Sequence, residues 1–546
     1  MAAFFSKFRR PRRLKAPAQK PGKSGSSPNG QDPNYPGHAS QSRTLSSDIE
    51  DNLRGLKEIF HDCTDVVFRE FLFARQEQIK LALIYIDGLA DKDLISNQIM
   101  RTLSLEAPAA TDRAAITKDN AWHYIKMHGL CAHQLQDSPE LDNVLNAILS
   151  GDSVLLVDGH ADALIVGSRG WAARSIEDSK TETVVRGPRE SFVETLRTNT
   201  SMLRRKIKNQ NLKIEMLQLG EITKTDIAVI YIKNIVNEGL VQEVKKRLSG
   251  IKIDAVLESG YIEELIRDNP YSIFPTLSHT DRPDRVAAHL LEGRVAIMVD
   301  GTPMVLVAPY LFIEAIQSPE DYYEQSFFMS GVRLLRIISL ILALTLPSLY
   351  IAIISFHHEM LPTPLLLSIA AQREAVPFPV FVEALLMELA FEIIREAGIR
   401  LPRDVGQAVS IVAALIIGQA AVQAGLVAGA TIIVVALTAM ASFTVYYSGS
   451  ISFRLLRFPM MFLAASFGLF GIIGCIIALV VHMASLRSFG VPYLAPLSPV
   501  ITQDLKDSAI RVPWWAMHKR PHLIGQKNPQ REAPGMQPRP PQPDNE

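Results

Sequence analysis

The sequence has little of what most reactive centres need. Its 546 residues include three cysteines, Cys63, Cys131 and Cys475, and no two form a C-x-x-C pair, so neither a disulfide framework nor a zinc site is expected. No G-x-x-x-x-G-K-[ST] or G-x-G-x-x-G loop is there to cradle phosphates. His357-His358-Glu359 is not H-E-x-x-H, and no Ser/His/Asp or Cys/His arrangement stands out, so the chain is not read as an enzyme and no metal or cofactor is expected. Charge of one sign is not in excess either. The 56 Lys+Arg and 56 Asp+Glu cancel, averaging a charged portion with an almost uncharged one. No apolar run follows the basic start, so a cleavable signal peptide is not expected and membrane insertion would rely on internal segments.

What the chain does hold is a hydrophobic half. About 20 mostly apolar residues cross roughly 30 Å of hydrocarbon, and four windows qualify: Leu334–Phe356, Val405–Ala424, Leu426–Tyr447 and Phe458–Leu486. Between the first two lies a segment, 361–403, punctuated by Pro362, Pro364, Pro377 and Pro379 and carrying Glu383, Glu388, Glu392 and Glu396. Carboxylates at membrane depth are costly and normally face a bundle interior or an aqueous path. Glu388, Glu392 and Glu396 recur every fourth residue and share one helix stripe, with Glu383 on another side. Repeated around a ring, the stripe would attract cations. An interfacial helix whose Arg395 and Arg400 neutralise part of the charge fits the pattern equally well. Within Val405–Ala424, helical spacing puts Val412, Leu415, Ile416, Gln419 and Gln423 on one face. In an oligomer this face would form an apolar constriction beside amide groups, which gates by dewetting; packing on another helix is the alternative. Four or five spans follow, depending on whether 361–403 re-enters or crosses. Tyr322, Tyr323, Phe327 and Phe328 suit an interface, with Arg333 and Arg336 on its cytoplasmic side.

The N-terminal half is read in pieces. Residues 1–42, rich in Lys, Arg, Pro, Gly and Ser, cannot bury enough apolar surface to offset ordering and are expected to be a disordered basic tail. Leu45, Ile49, Leu53, Leu56 and Phe60 line one helical face, and Val66–Phe73 and Leu81–Ile86 have strand character. The run LDNVLNAILSGDSVLLVDGHADALIVGS gives a helix, a glycine stop and two strands joined at Asp158-Gly159, a hairpin signal. That order recurs. Setting Asp142 on Asp284 aligns Val144 with Val286, Leu149 with Leu291, Gly151 with Gly293, Val157 with Val299 and Asp158-Gly159 with Asp300-Gly301, without a gap. The spacing predicts two repeated α/β cytoplasmic subdomains, 43–190 and 191–316, then an α-helical transmembrane bundle over 317–490 and a polar, Pro-rich C-terminal tail over 491–546. A basic helix near 192–207, with Arg197, Arg204 and Arg205, is read as solvated or subunit-contacting rather than phosphate-binding.

Three long runs carry a resemblance: HHEMLPTPLLLSIAAQREAVPFPVFVEALLMELAFEIIREAGIRLPRDVGQAVSIVAALIIGQAAV, GSRGWAARSIEDSKTETVVRGPRESFVETLRTN and RPDRVAAHLLEGRVAIMVDGTPMVLVAP. Over about Leu45–Leu486 the chain resembles the GerA family of spore germination proteins, specifically the A subunit of a germinant receptor. The resemblance implies a multi-pass protein of the spore inner membrane, with its N-terminal domain cytoplasmic, acting with a transporter-like B subunit and a lipoprotein C subunit. It also implies a homo-oligomer that conducts monovalent cations, while the B subunit takes the nutrient. A paralogue that amplifies ion release and a non-conducting scaffold for receptor assembly are the alternatives. Membrane lipid is an expected partner and nucleic acid is not. Within that frame Val412, Leu415 and Ile416, beside Gln419 and Gln423, are the expected gate, and Glu388, Glu392 and Glu396 the cation-attracting stripe.

Overall fold

Strand alternation organises the N-terminal half. The computed structural model describes residues 44–73, 79–106, 118–129, 134–170, 179, 182, 184–401, 418–444, 447–533 and 535–538; the expected basic tail lies outside them. One sheet contains Val66–Phe73 (β1), Ile79–Ile86 (β2), Leu135–Ser138 (β3), Ser153–Val157 (β4) and Ala163–Val166 (β5), in the order β1-β2-β4-β5-β3 with every neighbour antiparallel. A second sheet of Leu212–Leu219 (β6), Thr225–Ile232 (β7), Ser278–Thr280 (β8), Val295–Val299 (β9) and Val305–Ala308 (β10) repeats that order as β6-β7-β9-β10-β8. The aligned glycines hold equivalent places: Gly151 and Gly293 follow helices at φ 97° and 98°, and Gly159 and Gly301 turn the hairpins at 91° and 90°. Glycine enters that region without a Cβ penalty.

Both sheets are covered on both faces. In β2, Ala82, Ile84 and Ile86 pack with helices Ile49–Ile59 (α1) and Leu141–Ser150 (α2), while Leu81 and Leu83 point the other way onto Ile95 and Ile99. The helices of the second sheet are Leu196–Lys206 (α3), Glu238–Ser249 (α4), Ser259–Ile266 (α5) and Pro283–Leu291 (α6). Ala228, Ile230 and Ile232 of β7 pack with α3 and α6; Ile227, Val229 and Tyr231 pack with α4 and α5.

Helix α3 is the basic helix expected to be solvated or subunit-contacting; one of its faces is core, while the Arg197 side chain stays 44% exposed. Leu196, Met202 and Leu203 are buried, and Arg204 is fully buried, donating from Nε and Nη2 to Asp65 at 2.7 and 2.9 Å. Local sequence could not reveal this, because the accepting carboxylate lies 139 residues away. The pair ties the first sheet to the second, beside a backbone bond from Thr64 N–H to the Ile214 carbonyl at 3.0 Å.

Beyond the sheets, Ser326–Phe356 (α7) runs for 31 residues, about 46 Å at 1.5 Å per residue. Among the described residues it alone is both long and apolar enough to cross a bilayer. Thr363–Arg373 (α8), Val380–Arg400 (α9), Gly429–Phe443 (α10), Tyr447–Phe467 (α11) and Leu469–Ser485 (α12) follow. The window Phe458–Leu486, expected as one span, is broken at Gly468, whose φ is 61°, and the first of its two helices already begins at Tyr447. Hydropathy is blind to this turn because its neighbours are apolar. Gly471 completes it: a Cβ there would lie 2.2 Å from the Leu463 carbonyl oxygen. The window Leu426–Tyr447 shortens to α10, and of Val405–Ala424 only 418–424 is described.

Contacts set the helix directions. The Gly468 turn sits against Phe356 and His357, at the end of α7 away from the sheets. At the other end Ser452 donates to the Ile273 carbonyl at 2.6 Å, and His482 lies 3.2 Å from the Ser272 hydroxyl. Helix α11 therefore runs away from the sheets and α12 returns. The stretch after α12, expected as a tail, folds onto the second sheet's unit: Phe312 N–H donates to the Tyr493 carbonyl (2.9 Å), Arg520 Nε to the Leu291 carbonyl (2.7 Å) and Arg531 to Glu292 (3.0 Å). The sheets and the C-terminal segment thus occupy the same end of the bundle. Tyr322 and Tyr323, expected at a membrane interface, turn inward and donate to Asp507 (2.8 Å) and Asp284 (2.5 Å), leaving Phe327 and Phe328 exposed. Beneath them Arg333, fully buried, donates to Asp321 at 3.0 Å and to Asp507 at 2.9 Å.

Replacing Asp65 by Asn leaves the buried Arg204 guanidinium without a counter-charge, so unfolding free energy should fall by about 3–5 kcal/mol. The double change Asp65→Asn with Arg204→Met should cost less than Asp65→Asn alone, a ranking that chemical denaturation of the full chain checks.

Candidate functional site

The acidic segment forms a helix because leucine, alanine, methionine and glutamate dominate it once Pro379 has passed. Each carboxylate of α9 then meets a partner on another element or one turn along. Glu383 is fully buried and accepts from Arg373 Nη1 of α8 at 2.9 Å, from Ala428 N–H at 2.6 Å and from the Thr431 hydroxyl. The last two lie at the start of α10, so this carboxylate satisfies an otherwise unpaired donor and meets the positive end of the helix dipole. Tyr350 of α7 joins through its hydroxyl, 3.0 Å from that of Thr431.

Further along α9, Glu388 is fully buried against Arg457 of α11, whose Nε donates to the Ala343 carbonyl of α7 at 3.0 Å. Glu392 accepts from Arg454 Nε of α11 at 3.3 Å and from Arg395 Nη1 at 3.5 Å. Arg395 also reaches Ser442 of α10 at 2.5 Å and stacks over the rings of Phe391 and Phe443, with centroids at 5.0 and 4.5 Å. Glu396 is exposed and pairs with Arg400 at 2.7 Å. The result is a ladder of ion pairs from α9 to α8 and α11 and of hydrogen bonds to α10, with α7 reached through Tyr350 and Ala343.

The stripe of Glu388, Glu392 and Glu396 therefore exists as spaced, but it faces arginines and presents ion pairs rather than free carboxylates in this chain. Arg454 and Arg457 of α11 are the partners of Glu392 and Glu388. Their signal was present: two arginines three apart inside the apolar run ISFRLLRFPM match two glutamates four apart on α9. Glu383, set aside as lying on another side, accepts from three different residues, Arg373, Ala428 and Thr431. Val412, Leu415 and Ile416 lie outside the described residues; Gln419 and Gln423 are exposed on the helical turns that end near Gly425. Glu388 Oε1 and Arg457 Nη2 have no hydrogen-bond partner among the described residues. Among the described residues this rung is thus only half satisfied, and a network in that condition is costly to keep closed.

A duplicated α/β unit joined to an apolar helical bundle with ionised groups inside it defines the class of protein. The family described as Bacillus/Clostridium GerA spore germination protein matches residues 54–523, and the chain belongs to this family of spore germination proteins, the germinant-receptor A subunits. It is 47% identical over 497 residues to spore germination protein KA of Bacillus subtilis (strain 168), covering 91% of this chain and 90% of that one. It is 43% identical over 499 residues to the uncharacterized membrane protein YfkQ of the same organism, covering 90% and 95%. The crystal structure of the N-terminal domain of the A subunit of the Bacillus megaterium spore germinant receptor GerK3 shares 34% identity with a TM-score of 0.39, over 50% of this chain and 98% of that domain.

A double-mutant cycle with Glu388→Gln and Arg457→Met should give a coupling of about 2 kcal/mol or more, because each single change strands a buried partner. The same cycle on exposed Glu396 and Arg400 should give almost none. Thermal unfolding of the purified chain in detergent reads both.

Proposed function

We propose that this chain is the A subunit of a nutrient germinant receptor in the spore inner membrane, and that it oligomerises into a ligand-gated monovalent cation channel that starts germination. The observation that carries the reading is the Glu388–Arg457 rung, a half-satisfied ion pair held inside an apolar bundle. A passive anchor has no use for ionised groups there, since burying them costs several kcal/mol per ion. A protein that alternates between two packings does, because such groups define which helices engage in each state. The transporter-like B subunit takes the nutrient, the lipoprotein C subunit completes the receptor, and copies of this chain form the ring within membrane lipid. Val412, Leu415 and Ile416 close the path, with Gln419 and Gln423 beside them. Glu388, Glu392 and Glu396 supply a negative field when Arg454 and Arg457 move away. Nutrient opens the ring only by binding the open state better than the closed one.

Potassium efflux from liposomes holding the full chain tests this. Ile416→Ala removes about 2 kcal/mol of apolar closure, so basal efflux should rise on the order of tenfold, and Glu392→Gln should lower it. No efflux from any variant, with correct insertion shown and the B subunit and nutrient present, would leave the non-conducting scaffold as the function.

A further inference from the structure

The loop between α5 and β8, residues 267–277, reaches from the second sheet's unit to the bundle. From Tyr271 to Phe274 burial alternates: Ser272 and Phe274 are buried, whereas Tyr271 is 96% and Ile273 37% exposed. The buried pair meets the bundle. The Ser272 hydroxyl lies 3.2 Å from His482 Nε2 of α12, and the Phe274 ring packs on Phe453 of α11, on His482 and on Tyr493, with centroids at 5.9, 6.0 and 6.1 Å. Tyr271 and Ile273 stand on the outside of this contact.

The turn that carries them is ordered. Tyr271 N–H donates to the Asn269 side chain at 3.2 Å, Ser272 N–H to the Asn269 carbonyl at 3.3 Å, and Arg267 to the Pro270 carbonyl. Ser452 of α11 donates to the Ile273 carbonyl at 2.6 Å, and Asp268 accepts from Phe489 N–H, just past α12, at 2.6 Å. An almost fully exposed aromatic ring is therefore presented by a fixed backbone at the cytoplasmic ends of two bundle helices.

Those helices carry apolar side chains on their outer faces at the same level. Ile451 and Leu455 flank Ser452 and Phe453 and are exposed, as are Ile477, Val480 and Val481 in the turns around His482. Such rows on an apolar bundle face lipid. Pro270, Tyr271 and Ile273 continue them past the helix ends, where Arg487 is also exposed. A tyrosine, with an apolar body and a polar tip, and a basic side chain beyond an apolar row suit the boundary between hydrocarbon and water. Helix α5 does not share this setting, because its exposed Tyr261 and Leu265 stand beside exposed Glu264. The outward apolar surface is thus one turn. A stable protein partner covers about 20–30 residues a side, far more than the turn offers, whereas a bilayer boundary takes up single side chains.

We propose that Pro270, Tyr271 and Ile273 form a bilayer-boundary anchor: the turn dips into the headgroup layer of the leaflet that α11 leaves and α12 re-enters, with the Tyr271 hydroxyl toward water. The proposal rests on the bundle lying in lipid, and on neither conduction nor a partner subunit. Because the turn belongs to the second sheet's unit, it holds that unit against the membrane at a second point besides α7.

The test is photolabelling of the wild-type full chain in phosphatidylcholine nanodiscs with two diazirine lipids, one reactive near the glycerol and one near the acyl-chain end, the adducts being mapped by mass spectrometry. The shallow probe should label Tyr271 or Ile273, and the deep probe Ile476 or Ile477 in the middle of α12. Tyr271→Asp should lower the shallow label at Ile273 several-fold and leave the label on α12 unchanged, because a carboxylate avoids the boundary. A labelled α12 with an unlabelled turn would overturn the anchor, leaving the turn in water or against another protein and the bundle in lipid. No label on α12 either would overturn the membrane setting and the anchor with it. The two probes on the wild-type chain decide this even if Tyr271→Asp fails to fold.

Discussion

A guanidinium taken out of water must find a carboxylate, and three joints of the architecture depend on meeting that constraint. Arg204, Arg333 and Arg457 are each fully buried, and each stands at a joint. Arg204 binds Asp65 where the two α/β units meet, Arg333 binds Asp321 and Asp507 where sheets, bundle and C-terminal segment converge, and Arg457 binds Glu388 inside the bundle. Apolar packing holds each unit together but tolerates sliding, because dispersion and hydrophobic forces have little direction. A forked guanidinium engaged by a carboxylate has one geometry. The joints are therefore specified by ion pairs, and the interiors of the units by aliphatic side chains.

Legibility in the sequence followed the range of the interactions involved. The duplication could be read because its marks are local: a glycine after a helix, an Asp-Gly hairpin and apolar strands between them. Strand order was beyond reach, since β2 pairs with β4 across an intervening strand and several helical segments. The same limit explains the ladder. Glu388 and Glu392 announced themselves by spacing, but their partners lie 69 and 62 residues away, so the stripe read either as a cation-attracting row or as an interfacial helix that Arg395 and Arg400 partly neutralise. The helix of Arg204 read as solvated or subunit-contacting for the same reason. Hydropathy failed differently: it averages over a turn made by glycine among apolar neighbours, so α11 and α12 looked like one span. The C-terminal segment, with many prolines and few apolar runs, gave no periodic signal because it folds as turns against a surface already built.

The repeated topology has its own physical logic. Each five-stranded sheet is antiparallel and buried on both faces, so neither unit can shed its helices without exposing a strand face. The second unit gains what the first does not have: its α6 side is covered by the C-terminal segment, and its exit leads directly into α7. Two copies of one fold thus take different duties through what leans on them.

That covering segment also sets an order of assembly. Asp507, which completes the surroundings of Arg333, and Arg520, which reaches the Leu291 carbonyl, are synthesised after every helix of the bundle. The joint at the base of α7 consequently stays open while the chain emerges from the ribosome and closes only when α12 has returned to the side of the sheets. A chain halted directly after α12 would possess every helix of the bundle yet lack the clasp, because Asp507 and Arg520 lie beyond it.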